Sequence, residues 1–255
     1  MAETALVTGA SSGIGTEFAK ALAKRGYEVI LVARRAERLQ ELSGELEGRA
    51  HVVPCDLATE AAALPGKVAE LGLEVDLLVN NAGFGTAGRF IDQDPEREAE
   101  EIRLNCEAVV RLTHAFLPGM IERDRGGVIT VASTAGMQPL PYEAVYSATK
   151  AFALTFSDAL SEELRKTNVR VLAVNPGPVP TEWQEVAGYS DPRDFPVPGA
   201  IPPERVVELS LRAYDRGKRS VIPGQIIRLF MASSKPSPRA IQLRVTERMY
   251  RNSHK

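Results

Sequence analysis

The sequence predicts an α/β fold: a doubly wound, three-layer αβα sandwich built on a parallel sheet of about seven strands. Three observations predict it. Short, nearly continuous apolar runs alternate with longer helical patterns, as expected of strands buried on both faces and joined by helical crossovers. A glycine-rich turn links the first run to the first helical pattern. The chain has 255 residues, 44% hydrophobic and 25% charged, which suits one α/β domain with an ample core.

The strand-like runs are Thr4–Thr8, Val29–Ala33, Ala50–Pro54, Leu77–Asn80, Val128–Ala132, Val169–Asn175 and Ser220–Ile222. The first helical pattern covers Gly13–Arg25 and stops at Gly26, as a C-terminal glycine should. The second covers Arg35–Leu46. Pro95 opens a third that runs to about Leu117, since proline suits a first helical turn. A fourth spans about Tyr142–Lys166, and Pro203–Arg216 forms the last. Between Pro176 and Pro203, eight prolines and three glycines mark a loop with work to do rather than a connector. We read residues 1–230 as a single domain, with a long loop at about 181–203. Residues 231–255 form a basic tail, with Lys235, Arg239, Arg244, Arg248, Arg251 and Lys255 against Glu247.

Charge excludes some functions. There are 31 basic and 33 acidic residues, a net of −2, which gives no case for nucleic acid as a partner. Cys55 and Cys106 sit in no paired motif and read as buried thiols in a reducing compartment, with a cytoplasmic location expected. The start of the sequence has no signal-peptide pattern, and no apolar run reaches the about 18 residues that would span a membrane. His51, His114 and His254 are scattered and predict no metal site.

The glycine-rich turn is Thr8-Gly9-Ala10-Ser11-Ser12-Gly13-Ile14-Gly15. Gly9 permits a tight turn, Gly13 a close approach to a pyrophosphate, and Gly15 close helix–strand packing. The helix N-terminus beyond them offers free N–H groups to phosphates. The spacing is G-x-x-x-G-x-G. Further along stand Asn80-Asn81-Ala82-Gly83, Ser133 with Tyr146-Ser-Ala-Thr-Lys150, and Asn175-Pro-Gly-Pro-Val179-Pro-Thr181. With these four motifs in order, residues 3–223 resemble the single-domain branch of the short-chain dehydrogenase/reductase family. The resemblance implies a Rossmann-type fold, dinucleotide binding and catalysis within residues 1–230, a substrate lid at about 181–203, a nicotinamide cofactor, and hydride transfer to or from a carbonyl or secondary alcohol. It also implies a homodimer or homotetramer packed through the helices at Pro95–Leu117 and Tyr142–Lys166. Val109, Leu112, Phe152 and Phe156 suit that role, or packing within the chain.

The cofactor expected is NADP(H) rather than NAD(H). Sites for NAD tend to place an acid after the second strand to take the ribose 2′-hydroxyl. Here the segment is Val32-Ala33-Arg34-Arg35, and a planar guanidinium fork pairs well with phosphate. Arg34 is assigned to the 2′-phosphate, with Ser11 and Ser12 in the turn beside it; solvated charges at a helix start are the other reading. By resemblance, Asp56 and Leu57 meet the adenine edge, although Asp56 could equally cap a helix. Asn81 is placed on the adenosine ribose side. The backbone at Val179 and the hydroxyl of Thr181 are placed at the nicotinamide carboxamide, and Ile14 completes the phosphate turn.

Tyr146 and Lys150 lie four residues apart on one helical face. Reducing a carbonyl requires a proton for the developing alkoxide, and a tyrosine of ordinary pKa about 10 is a poor base at neutral pH. A nearby ammonium is expected to lower it towards the working pH, where acid–base catalysis is most effective. Lys150 is also expected to hold the nicotinamide ribose, and Ser133 to stabilise the substrate oxygen. The resemblance adds Asn105 as the holder of a water that links Lys150 to solvent. The expected substrate is a small carbonyl or alcohol, and an apolar ketone or 3-oxoacyl group fits Trp183, Val186 and Tyr189 in the lid. Tyr142 either lines the cleft or caps the helix. The basic tail is read as solvated or as a subunit contact, ahead of peripheral membrane contact. A catalytically silent NADP-binding scaffold is the competing function, and it would be expected to lack Ser133, Tyr146 or Lys150.

Overall fold

Each expected strand forms, to within about a residue at its ends. The computed structural model describes residues 2–189, 199–234 and 238–251; residues 190–198 of the expected lid, with Lys235, His254 and Lys255, lie outside them. The strands are β1 (Thr4–Thr8), β2 (Glu28–Ala33), β3 (Ala50–Pro54), β4 (Leu77–Asn80), β5 (Gly127–Val131), β6 (Arg170–Val174) and β7 (Ser220–Val221). All neighbours pair in parallel, in the order β3-β2-β1-β4-β5-β6-β7. Leu6 of β1 sits in register with Ile30 on one side and Leu78 on the other.

Both faces of the sheet are covered, and the period of two assigns side chains to each. Ala5, Val7, Val29 and Leu31 pack on one face with Phe18 and Leu22 of α1 (Gly13–Lys24), Leu39 of α2 (Ala36–Glu45), and Val206 and Leu211 of α8 (Pro203–Asp215). Leu6, Ile30 and Val32 point the other way, onto Leu64 of α3 (Leu64–Ala69) and onto Leu112 and Met120 of α5 (Ala108–Glu122). Burying each such side chain contributes about 1.5–3 kcal/mol. The chain winds outward from β1 to β3 and then returns to β4 on the other side. The loops beyond β1 and β4 therefore diverge and open a crevice at the strands' carboxyl ends.

Two helices differ from expectation. The long pattern from Pro95 is not one helix. It is α4 (Pro95–Ile102), a π-helical segment at Arg103–Glu107, and then α5, which continues to Glu122. The wide π turn lies at Asn105, and such turns recur where a helix is shaped around a site. Helix α6 (Ala144–Glu163) is shorter at both ends than its apolar pattern. Val109 and Leu112 are buried within the chain, whereas Phe152 is exposed and stacks with Phe156. Cys55 is buried, but Cys106 is only partly so. Short helices follow at α7 (Trp183–Val186) and α9 (Gln225–Ser234), and the basic tail forms α10 (Arg239–Arg251).

Candidate active site

A cleft of about 350 Å³ occupies the crevice. Of the residues assigned to the cofactor, Gly9, Ser11, Ser12, Gly13, Ile14, Arg34, Asp56, Leu57, Asn81, Val179 and Thr181 line it, as do Ser133, Tyr146 and Lys150. Gly15 lies just beneath, where a Cβ would stand 2.1 Å from the Gly9 carbonyl oxygen and 2.5 Å from Asn81 Nδ2. Gly9 itself has φ +66°, a conformation that favours glycine. Ser12 precedes α1 without a side-chain capping bond, and no acid occupies the helix's first turn. The helix N-terminus is therefore available to an anion, and the glycine cradle fits a pyrophosphate. Asn81 Nδ2 donates to the Thr8 and Gly9 carbonyls and so braces the turn. Asn80 Nδ2 donates to Thr113 Oγ1, tying β4 to α5. Asp56 Oδ1 accepts from the Ala58 N–H, so it closes its own turn while facing the cleft.

Beside the glycine turn the arginines divide their work. Arg34 pairs with Glu100 at 3.3 Å. Arg35 reaches over the glycine turn to Ser11 Oγ at 3.1 Å and pairs with Glu182 at 2.9 Å. Arg38 also pairs with Glu182, and the two arginines hold that carboxyl below its usual pKa, Arg38 first. The sequence singled out Arg34; the structure brings Arg35 to the turn and Arg38 beside it.

Ser133 lies two residues past β5, where its Oγ accepts from the Ala135 N–H at 3.1 Å and its hydroxyl meets that of Tyr146. Tyr146 and Lys150 project from α6 on one face. Lys150 Nζ lies 5.7 Å from the Tyr146 ring centre and donates to the Val131 carbonyl at 3.0 Å. Asn105 Nδ2 donates to Phe84 O at 2.8 Å and to Thr149 Oγ1 at 3.0 Å, which pins the π turn against α6. A Cβ at Gly83 would stand 2.8 Å from Asn105 Oδ1 and 3.3 Å from Lys150 Nζ, so the glycine leaves these two groups room to face each other.

Burial governs the electrostatics of Tyr146 and Lys150 in the protein alone. Burial, with Glu143 and Glu101 adding to it, raises its pKa, and the hydrogen bond from Ser133 only partly offsets this. Burial also pushes Lys150 down to about 8, against the attraction of Glu101 and Cys106. Removing water from both groups favours their neutral forms, phenol and amine. The proton therefore rests on Tyr146, and Lys150 is the more acidic member of the pair. A protonated phenol beside a serine hydroxyl can donate to a carbonyl oxygen as negative charge develops on it.

The sequence of this chain matches the short chain dehydrogenase family over residues 3–189. The chain belongs to that family. It is 41% identical over 180 residues to a very-long-chain 3-oxoacyl-CoA reductase of Laccaria bicolor, covering 67% of this chain and 53% of that protein. It spans about half the length of the curated relatives it first matches, at 53% in two fungal proteins. A short-chain dehydrogenase of Sphingobium yanoikuyae in complex with NADPH superposes with a TM-score of 0.82 at 30% identity, covering 94% of this chain and 95% of that one. A 3-ketoacyl-(acyl-carrier-protein) reductase of Brucella melitensis complexed with NADH gives 0.76 at 29% identity, with 87% and 96% covered.

This short chain dehydrogenase closes its cleft with the expected Trp183, Val186 and Tyr189 and with α10, whose part the sequence did not reveal. Helix α10 places Tyr250 in the cleft wall, buried beside Tyr146, Ala135 and Leu140. Trp183 of α7 packs on Tyr146 with ring centres 4.8 Å apart, and Tyr189 lies 6.3 Å beyond it. Tyr189 donates to Glu143 Oε1, a carboxyl that burial pushes up to about 7. Tyr142, at φ +71°, packs on the same aromatic cluster. Phe84, Leu140, Val186, Phe230 and Met231 complete an apolar end to the cleft. Among the described residues no helix is long and apolar enough to cross a membrane, and no cluster of His, Cys, Asp or Glu could hold a metal ion.

Proposed function

We propose that this protein is an NADPH-dependent reductase of an apolar ketone or 3-oxoacyl-type substrate. One observation carries the reading: Tyr146 and Ser133 present their hydroxyls together in the cleft, with Lys150 behind them and Asn105 facing it. The bound nicotinamide would supply a hydride. Ser133 holds the substrate oxygen, and Tyr146 gives up its proton to the alkoxide. Lys150 then returns a proton to Tyr146, and Asn105 fixes the local geometry through Phe84 and Thr149. Ser133, Tyr146 and Lys150 share the cleft, with Asn105 beside Lys150 under Gly83, which favours catalysis over a silent scaffold.

Selectivity for NADP(H) is supported by Arg34, Arg35 and Arg38 at the ribose end, set against Glu100 and Glu182. A 2′-phosphate entering there offers Arg35 a partner of higher charge than the Glu182 carboxylate. The substrate class is supported by the apolar end of the cleft and by the name of the Laccaria relative. Self-association fits the exposed Ile102, Val110 and Phe152 along α4, α5 and α6.

The test is a panel of ketones, 3-oxoacyl thioesters and sterols, followed by nicotinamide absorbance with NADPH and with NADH. NADPH should be preferred, and an Arg34→Asp/Arg35→Asp double variant should reverse that preference. Tyr146→Phe should lose about 10²–10⁴-fold in kcat while still binding cofactor. Full turnover in Tyr146→Phe would remove the basis of this assignment.

A further inference from the structure

Behind Lys150 lies a second polar group that the mechanism above leaves idle. Glu98 and Glu101 are three residues apart on α4, so they share a face, and that face turns inward. Glu101 is fully buried and Glu98 nearly so. Thr86 stands between them. Its Oγ1 is 2.7 Å from Glu98 Oε1 and 3.0 Å from Glu101 Oε2, and its backbone N–H also serves Glu101. The other two oxygens, Glu98 Oε2 and Glu101 Oε1, are buried and have no hydrogen-bond partner among the described residues.

Counting protons constrains this trio. A threonine hydroxyl carries one proton and donates one hydrogen bond. Two contacts of this length to two carboxyls need a second proton, and it must sit on a carboxyl. Two buried carboxylates around one hydroxyl would also repel each other strongly. Glu101 is the member suited to hold the proton. Burial raises its pKa to about 7, Glu98 adds to this, and the Thr86 bonds and Lys150 oppose it.

The trio adjoins the catalytic centre. Glu101 lies one turn before Asn105, and Asn105 Oδ1 and Lys150 Nζ both lie against Gly83. Gly85, next to Thr86, packs so closely on the Tyr146 ring that a Cβ there would stand 2.8 Å from Cδ2. Segment 83–86 thus touches Asn105, Lys150, Tyr146 and both glutamates. The charged and titratable groups that act on Glu101, or that it acts on, are Glu98, Lys150, Cys106 and Tyr146.

We propose that Glu101 is the proton store of this active site, restoring the ammonium of Lys150 after each reduction and refilling from solvent between turnovers. The step balances. The Tyr146 O–H bond breaks and its proton goes to the substrate alkoxide. A Lys150 N–H proton rebuilds the Tyr146 hydroxyl. The Glu101 O–H bond breaks to rebuild the ammonium, which leaves a carboxylate for solvent to reprotonate. Glu101 acts through Lys150, so it is a positioning residue for the proton rather than a catalytic one. The inference rests on the reductase reading.

The experiment compares the wild type with Glu101→Gln, which keeps the shape but holds no transferable proton, and with Glu101→Asp, which keeps the proton. In the cofactor-free proteins, the infrared C=O band of a protonated carboxyl is followed from about pH 5 to 9. It should fade near neutrality in the wild type, and that component should be missing in Glu101→Gln. In ketone reduction, the wild-type kcat should fall as pH rises through about 7. Glu101→Gln should lose that limb and about tenfold in kcat at unchanged KM, and Glu101→Asp should restore the limb. A wild type that reduces no ketone overturns both readings. A wild type that turns over, beside a Glu101→Gln variant with the same band and the same profile, overturns this inference alone.

Discussion

Replacing Glu143 by glutamine should make the protein more stable in alkaline solution and leave it no better off in acid. Glu143 is buried just before the catalytic helix. Oε1 accepts from Tyr189, and Oε2 has no hydrogen-bond partner among the described residues. Burial moves its pKa from 4.5 to about 7. Between those values the native protein keeps a proton that the unfolded chain releases. Glu143's contribution to wild-type stability therefore falls as pH rises from about 4.5 to about 7, and is level above that. At about 1.4 kcal/mol per pH unit, the whole fall is about 3 kcal/mol. Glutamine accepts the Tyr189 hydrogen bond without titrating. The stability difference between variant and wild type should therefore swing by about 3 kcal/mol in favour of Glu143→Gln from pH 4.5 to 8, or roughly 6–12 °C in Tm for a chain this long. Comparing two pH values cancels packing changes common to both, and it cancels the parallel contribution of Glu101. Urea unfolding reports the result through Trp183, the one tryptophan in the chain, which packs between Tyr146 and Tyr189. Curves that stay parallel to within about 0.5 kcal/mol at both pH values would refute a titrating buried carboxyl at Glu143.

Two further substitutions test the walls of the cleft. Gly15→Ala puts a methyl 2.1 Å from the Gly9 oxygen, and should cost about 1–3 kcal/mol in urea unfolding and abolish nucleotide binding in a fluorescence titration. Tyr250→Ala should cost about 3–5 kcal/mol and raise KM for bulky ketones more than it lowers kcat; an unchanged KM and stability would mean that α10 does not close the cleft in solution.

Strands buried on both faces write themselves as unbroken apolar runs, so β1 to β6 could be read to within about a residue. The glycine turn and Ser133, Tyr146 and Lys150 were legible because their chemistry demands particular residue types at fixed spacing. The π turn was not, since one extra residue in a wide turn changes no residue type. Glu98 and Glu101 were hidden for a different reason. Pro95-Glu-Arg-Glu-Ala-Glu-Glu reads as a solvated face, and only the tertiary placement of Thr86 shows that two of those acids point inward. Tyr250 was missed because α10 buries little besides Thr246 and Tyr250, too few positions to form an apolar stripe. Arg35 was passed over in favour of Arg34 because neighbouring arginines look alike until Ser11 selects one of them.

Glu182 and Trp183 are consecutive, yet they serve opposite ends of the cleft. Glu182 is held by Arg35 and Arg38 beside the glycine turn, and Trp183 lies on the Tyr146 ring. On the proposed reading, one peptide unit separates the residue that would sense a 2′-phosphate from the residue that would shape the space for a ketone. Choice of nucleotide and choice of substrate are thus not separate dials in this enzyme. A library at Trp183 selected for a new ketone will shift cofactor constants as well, and changes at Arg35 and Trp183 will fail to add when combined.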